Sequence, residues 1–204
     1  MIEIIDSSFM TSAPNIKLAP ENEFRNEVAF MARSNTGKSS LLNTLTNRKS
    51  LAKVSATPGK TRLINYFDVT FIDRETEERL HAKFVDLPGF GYAKVAKSLK
   101  SDWESNLTSF ITDRRQIAVF VHLIDCRHPD LEIDRSVAEY LQEICTPDQS
   151  IVTVFTKIDK LNQKELSELR KRFPDSLMIS NSKRRGVDAI VKTIYGVLKS
   201  DHDA

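Results

Sequence analysis

The residues whose types and spacing could do chemistry begin with ARSNTGKSS at 32–40. Ala32, Gly37, Lys38 and Ser39 fit the spacing G-x-x-x-x-G-K-S, with alanine in the first glycine slot. A loop of this kind between a strand and a helix turns consecutive backbone N–H groups toward one point. The positive helix terminus adds to their attraction for phosphate. Gly37 lets the backbone come close, Lys38 reaches the β- and γ-phosphates, and Ser39 offers its hydroxyl to Mg²⁺. Ala32 is admissible only with a negative φ, because its Cβ disfavours the left-handed region. The plain alternative is an ordinary strand-to-helix turn with a solvated lysine.

A phosphate cradle does not distinguish ATP from GTP, so the base must be read elsewhere. Thr156-Lys157-Ile158-Asp159 follows an apolar run, which puts Asp159 at the end of a strand. Its carboxylate can accept from guanine N1–H and the exocyclic amine together. Adenine offers no such donor pair and would leave the carboxylate desolvated and unpaired. A helix-capping aspartate is the alternative for this tetrapeptide taken alone. Asp86-Leu87-Pro88-Gly89 has the D-x-x-G form, an aspartate behind the magnesium followed by a glycine amide that senses the γ-phosphate. In SATPGKTRL, Thr57 and Thr61 are both placed to meet Mg²⁺ when nucleotide orders the loop, and Thr61 is preferred. Phe90 stands where switch GTPases carry the glutamine that orients water. A phenyl ring cannot do that, so turnover should be slow. Lys38, Thr61 and Gly89 are the candidate catalytic groups.

Positioning these loops requires a sheet wound with helices. Apolar runs predict strands over 28–32, 64–72, 79–87, 117–125, 151–156 and 176–180. Helical spacing joins Leu41, Leu42 and Leu45, then Trp103, Leu107, Phe110 and Ile111, then Val137, Tyr140, Leu141 and Ile144. Leu161, Leu166 and Leu169 mark a fourth helix, and Ile190, Ile194 and Leu198 a fifth. The charged turn DRETEER at 73–79 makes a hairpin and therefore one antiparallel strand. The expected fold is α/β, a three-layer P-loop sandwich with a six-stranded, mostly parallel sheet and helices on both faces. Its ligand should sit at the carboxyl rim of the strands. Residues 1–26 read as an arm, with an added edge strand at Ile2–Ile5, and 27–200 as one domain.

At 204 residues, 30 Lys and Arg against 28 Asp and Glu, and a net charge of +2, the chain is sized for one core and too evenly charged to argue nucleic-acid binding by composition. Basic residues are local: Arg114-Arg115, Arg170 to Arg172, Lys183 to Arg185, and Lys94, Lys97 and Lys100. They are either a solvated face or a contact for nucleic-acid phosphates. Cys126 and Cys145 lack metal or redox spacing and read as buried reduced thiols. His122 reads as a satisfied core residue, and Asp125 as a structural hydrogen-bonding group. No apolar run approaches the roughly 20 residues needed to cross a bilayer. No membrane association is expected, and the location should be cytoplasmic.

Together, ARSNTGKSSLLN, TPGKTRLINYF, DLPGFGYAKV and TKID closely resemble the EngB family of Era-like bacterial GTPases, over roughly residues 20–200. The resemblance implies nucleotide contacts from Ala32, Arg33, Ser34, Asn35, Thr36, Gly37, Lys38 and Ser39. It adds Gly59, Lys60, Thr61, Arg62 and Leu63, then Asp86, Leu87, Pro88 and Gly89. On the guanine side it adds Thr156, Lys157, Ile158 and Asp159, with Ile179, Ser180 and Asn181. Mg²⁺ would be held at Ser39 and Thr61, with Asp86 behind it, and Asn35 resembles an asparagine that helps to hold K⁺ in related GTPases. The implied partners are GTP and GDP and a precursor of the large ribosomal subunit, for a monomer also needed in cell division and septation. Two alternatives stand beside this: a division-linked scaffold with vestigial hydrolysis, and a nucleotide-dependent phosphotransferase.

Overall fold

The computed structural model describes residues 1–48, 51–52, 63–90 and 107–202. Thr57, Gly59 to Arg62, Gly91, Lys94, Lys97, Lys100 and Trp103 lie outside the described residues.

Seven strands form one sheet: β1 (Ile2–Ala13), β2 (Glu27–Ala32), β3 (Ile64–Asp73), β4 (Arg79–Asp86), β5 (Ile117–Asp125), β6 (Ser150–Thr156) and β7 (Leu177–Met178). Their spatial order is β1-β3-β4-β2-β5-β6-β7. β2 pairs in parallel with β4 and β5, and β5, β6 and β7 continue in parallel. β3 is antiparallel to β4 through the charged hairpin, and antiparallel to β1 on its other side.

The expected six strands are therefore seven. The extra one is a twelve-residue edge strand rather than a four-residue stub. Its polar stretch, Asp6-Ser7-Ser8, hides it from an apolar-run search, yet it pairs with β3 from Ile2 to Ala13, interrupted by register shifts at Ile4/Asp6 and Phe9/Thr11. In the other direction the predicted 176–180 strand shrinks to Leu177–Met178.

The helices are α1 (Lys38–Leu45), α2 (helical residues 107–113), α3 (Glu132–Ile144), α4 (Gln163–Arg172) and α5 (Val187–His202). Side chains on a strand alternate between faces, and β2 uses both. Val28, Phe30 and Ala32 pack with Leu41 and Leu42 of α1 and Ile190 and Ile194 of α5. Ala29 and Met31 pack with Phe110 and Ile111 of α2 and Leu141 of α3. A third cluster joins Ile124 and Phe155 to Ile158 and to Leu166 and Leu169 of α4, directly under the carboxyl rim. Asn162 caps α4 in a reciprocal capping box with Glu165, and Arg170, Lys171 and Arg172 lie in its negative last turn.

Candidate functional site

The cradle begins where β2 ends. Ala32 is a buried strand residue and is not among those with positive φ, so its Cβ meets no backbone penalty. Strand-like pairing continues one step beyond it, with Phe90 N–H donating to the Ala32 carbonyl at 3.2 Å and Ser34 N–H to the Phe90 carbonyl at 3.3 Å. The DLPGF segment therefore lies along the entrance of the loop. A Cβ on Gly89 would come within 3.3 Å of the Ser34 nitrogen, a close approach that glycine permits. Gly37, at φ +107°, turns the chain into α1, whose first residues are Lys38 and Ser39. Lys38 Nζ pairs with Asp86 Oδ1, and both side chains are largely buried.

Three successive cradle carbonyls accept hydrogen bonds from the guanine-side residues. Lys157 Nζ donates to Asn35 O at 2.6 Å, Thr156 Oγ1 to Thr36 O at 2.7 Å, and Asn181 Nδ2 to Gly37 O at 3.2 Å. In a planar trans peptide the N–H points away from the C=O. Pulling these carbonyls toward β6 and β7 therefore turns the N–H groups of the next residues to the opposite side. Thr36 N–H also closes a 3.3 Å turn onto Arg33 O, which leaves the Gly37 and Lys38 amides as the clearest case.

On the base side, Asp159 lies in a short 3₁₀ turn after β6 and accepts a 2.5 Å bond from Ser180 Oγ. That bond is the largest influence holding its carboxyl below the usual range. One carboxylate oxygen is thus fixed by protein, which orients the other edge. Ile158 N–H donates to Ile179 O, and Ile179 N–H to Phe155 O, at 3.1 and 2.8 Å. Ile158 and Ile179 are buried and splice the two guanine-side segments together, as buried Leu87 supports the D-x-x-G turn. Leu63, by contrast, is exposed.

Several contacts around the candidate site escape sequence reasoning. Asp125 ends β5 in register with Thr156, where it accepts from Lys157 Nζ at 2.8 Å and from Arg127 Nη2 at 2.7 Å. Burial opposes its charge, but the hydrogen bonds from Arg127 and Lys157 outweigh that and hold the carboxyl far below its ordinary range. The structural role expected for Asp125 is therefore also a brace on the guanine-side lysine. The only sequence signal was an acid at a strand end beside another strand end. Arg33 turns its side chain to Asp134 of α3, 2.8 Å away, leaving its backbone at the cradle. Burial raises the Asp134 pKa against the pull of Arg33.

Other expectations are corrected. His122 is fully buried, but neither ring nitrogen has a partner among the described residues, and burial lowers its pKa to about 4. Arg114 is sealed against Glu27, so it is no candidate for RNA. Arg172 pairs with Asp130 and stacks over Phe173, whereas Lys183, Arg184 and Arg185 are exposed beside the guanine loop. Cys126 is buried, with its thiol pushed up to about 11 by burial, and Cys145 is only half-buried. Phe90 packs inward on the core, its ring 6.2 Å from that of His122. No helix among the described residues is long and apolar enough to cross a membrane.

A Walker-type loop between a parallel strand and a helix, with a carboxylate-bearing rim beside it, defines a P-loop GTPase. A family model described as "50S ribosome-binding GTPase" matches residues 27–157. "Probable GTP-binding protein EngB" of Aliarcobacter butzleri (strain RM4018) is 54% identical over 196 residues, 96% of this chain and 98% of that protein. The protein of the same name from Campylobacter jejuni subsp. jejuni serotype O:2 is 51% identical over 187 residues, covering 92% and 93%. The chain belongs to the EngB family of GTP-binding proteins. Among solved structures, a probable GTP-binding protein EngB superposes with TM-score 0.63 at 23% identity, covering 85% of this chain and 99% of that one. An Era variant from Aquifex aeolicus bound to GDP·AlF₄⁻ gives 0.62 at 26% identity, over 85% of this chain and 56% of that one. Era in complex with MgGDPNP and a 16S ribosomal RNA fragment gives 0.60 at 26%, with the same coverage.

Proposed function

We propose that this GTPase is a slow, Mg²⁺-dependent nucleotide switch in assembly of the large ribosomal subunit, acting in the cytoplasm as a monomer and needed for normal division and septation. The observation that carries the nucleotide part is the trio of cradle carbonyls held from the guanine side, with Asp159 fixed by Ser180. It makes base reading and phosphate binding one connected structure within residues 27–200. On this reading Ala32 to Ser39 and Asp86 to Gly89 face the phosphates, Gly59 to Leu63 add nucleotide contacts, and Thr156 to Asp159 with Ile179 to Asn181 face the base.

The residues present fit magnesium. The Ser39 hydroxyl stands beside Lys38, and the Asp86 carboxylate is drawn to the Lys38 ammonium at the same helix start. One carboxylate with a hydroxyl and phosphate oxygens is the hard, oxygen-rich set that Mg²⁺ takes. Ser39 and Thr61 would hold the ion directly, and Asp86 through water. Bound there, it would neutralise charge on the β- and γ-phosphates. The protein's own part in hydrolysis is placement and charge: Lys38 at the bridging phosphates, the cradle amides, and the Gly89 N–H. Phe90, half-buried against the core, offers no group to a water, which supports slow turnover. Asn35 is the candidate for holding K⁺, and equal turnover in K⁺ and Na⁺ at matched ionic strength would remove it.

The ribosomal part is supported by the description of the matching family model and by the RNA fragment bound to Era. Exposed Lys183, Arg184 and Arg185, and exposed Arg115, Arg170 and Lys171, are candidates for such a contact. Titration of fluorescent GDP and GTP, competed with ATP and followed by cosedimentation with large-subunit precursors, tests both parts. ATP competing as well as GTP would overturn the first part, and nucleotide-independent sedimentation the second.

A further inference from the structure

We infer that Asn181 is a positioning residue for the phosphate cradle, its side-chain amide tying the guanine loop to the Gly37 carbonyl and so aiming the Lys38 N–H at the phosphate chain. The inference rests on the nucleotide site proposed above and assigns a role within it that base recognition does not require.

Asn181 is placed by a closed turn. Ser180 and Arg185 exchange both backbone hydrogen bonds, at 2.9 and 3.0 Å, and Ser180 Oγ accepts from Lys183 N–H at 3.2 Å. The turn ends in Gly186 at φ +74°, where a Cβ would lie 2.3 Å from the Met178 carbonyl. The backbone at residue 181 therefore has little freedom, and its side chain projects toward the cradle. The Nδ2 atom donates to Gly37 O at 3.2 Å and lies 3.5 Å from where a Gly37 Cβ would be. It thus covers the face of the loop that glycine leaves open. The same carbonyl accepts the first α1 bond, from Leu41 N–H at 2.9 Å. Two donors on one side of the 37–38 peptide fix its plane, and the Lys38 N–H must then face the other way.

A residue serving only the base would leave the phosphate dependence of binding untouched. Asn181 is instead bonded to the phosphate loop, so its loss should be felt by nucleotides in proportion to their contact with that loop. GDP carries the β-phosphate that the Lys38 amide faces in this reading, and GMP does not.

The experiment is competition of GDP, GMP and ADP against fluorescent GDP on the full chain, the Asn181→Ala and the Asn181→Leu variants, with nucleotide-free melting temperatures measured in parallel. Leucine keeps the volume and removes the donor. Loss of one neutral hydrogen bond corresponds to about a fivefold weakening. The inference requires that weakening for GDP in both variants, with GMP weakened clearly less, and with melting temperatures that leave both variants fully folded at the assay temperature. Equal weakening of GDP and GMP, or no change in GDP, would overturn it while leaving the GTPase reading intact. An unmodified chain that fails to prefer GDP to ADP would overturn both.

Discussion

The central strand β2 ends in two different ways. At its amino end Glu27 is fully buried and receives Arg114 Nη2 and Nε at 2.6 and 3.0 Å, with Asn22 Nδ2 adding a third donor at 3.0 Å. Arg114 also donates to Pro20 O, and every strong charge there is paired and sealed. At its carboxyl end the strand opens into the cradle, where Lys38 and Asp86 pair but keep some exposure and where amides face outward. One end uses charge to fix the chain before β2 onto the sheet. The other keeps its charge at the rim, where, on the function proposed above, a phosphate chain would exchange for the internal partner. Buried ion pairs and functional ion pairs look alike as pairs of residues; what separates them is whether a ligand can reach them.

The largest effect should come from breaking the sealed end. Arg114→Ala strands a buried carboxylate and should cost about 3–5 kcal/mol of stability. Chemical denaturation should show that loss, while GDP affinity of the folded fraction stays unchanged. A large loss of affinity instead would mean that the two ends are coupled through β2.

Breaking the open end should do the reverse. Lys38→Ala removes a charge-assisted contact worth about 1.5–3 kcal/mol, so GTP should bind up to about a hundredfold more weakly. Its cost in melting temperature should be smaller than that of Arg114→Ala, because Asp86 keeps some exposure where Glu27 has none, and fluorescent-nucleotide titration beside a melting curve checks both.

The contrast between the ends also explains what could be read in the chain. The cradle, the TKID turn and the D-x-x-G turn were legible because each is a contiguous string whose spacing is set by backbone geometry, and each follows a strand whose last turnward residues are mostly apolar, as in Val28 to Ala32 and Val154-Phe155. β5, buried along its whole length, shows in sequence as an apolar run interrupted only by His122 before its terminal Asp125. β1 did not, because an edge strand with one face in solvent tolerates exposed Asp6 and Ser8, and the buried Ser7 between them breaks the apolar alternation as well. Contacts between distant segments were illegible for a different reason. Arg114 and Glu27 are 87 positions apart, and Asn181 and Gly37 are 144 apart, so only the fold brings them together. The sequence pattern of Arg114-Arg115 suggested a surface basic pair, and burial of one member reversed it.

Gly186→Ala tests the scaffold of the rim without touching a site residue. At φ +74°, with a Cβ 2.3 Å from Met178 O, alanine must shift the turn or β7. A loss of about 1–3 kcal/mol is expected. Because the displaced turn carries Ser180 and Asn181, GDP affinity should fall along with stability. A stability loss alone would show the guanine loop to be independent of its hinge.

The smallest effect sharpens the comparison by pH. Asp159 has a lowered pKa chiefly because Ser180 donates to it, so its charged form persists below the ordinary aspartate range. A depressed carboxyl contributes above its unfolded pKa and loses that contribution as pH falls through the folded value. Guanine binding should follow the same limb, because the protonated acid no longer offers a pair of acceptors to N1–H and the amine. Ser180→Ala removes the donor and should move the acid limb of GDP affinity to higher pH, with about a fivefold loss at neutral pH. Glu27, at the sealed end, is far from Ser180, and a variant there should leave this limb in place. Should the limb fail to move in Ser180→Ala, the 2.5 Å bond would be incidental to base reading, and Asp159 would owe its acidity to the turn and to Lys160.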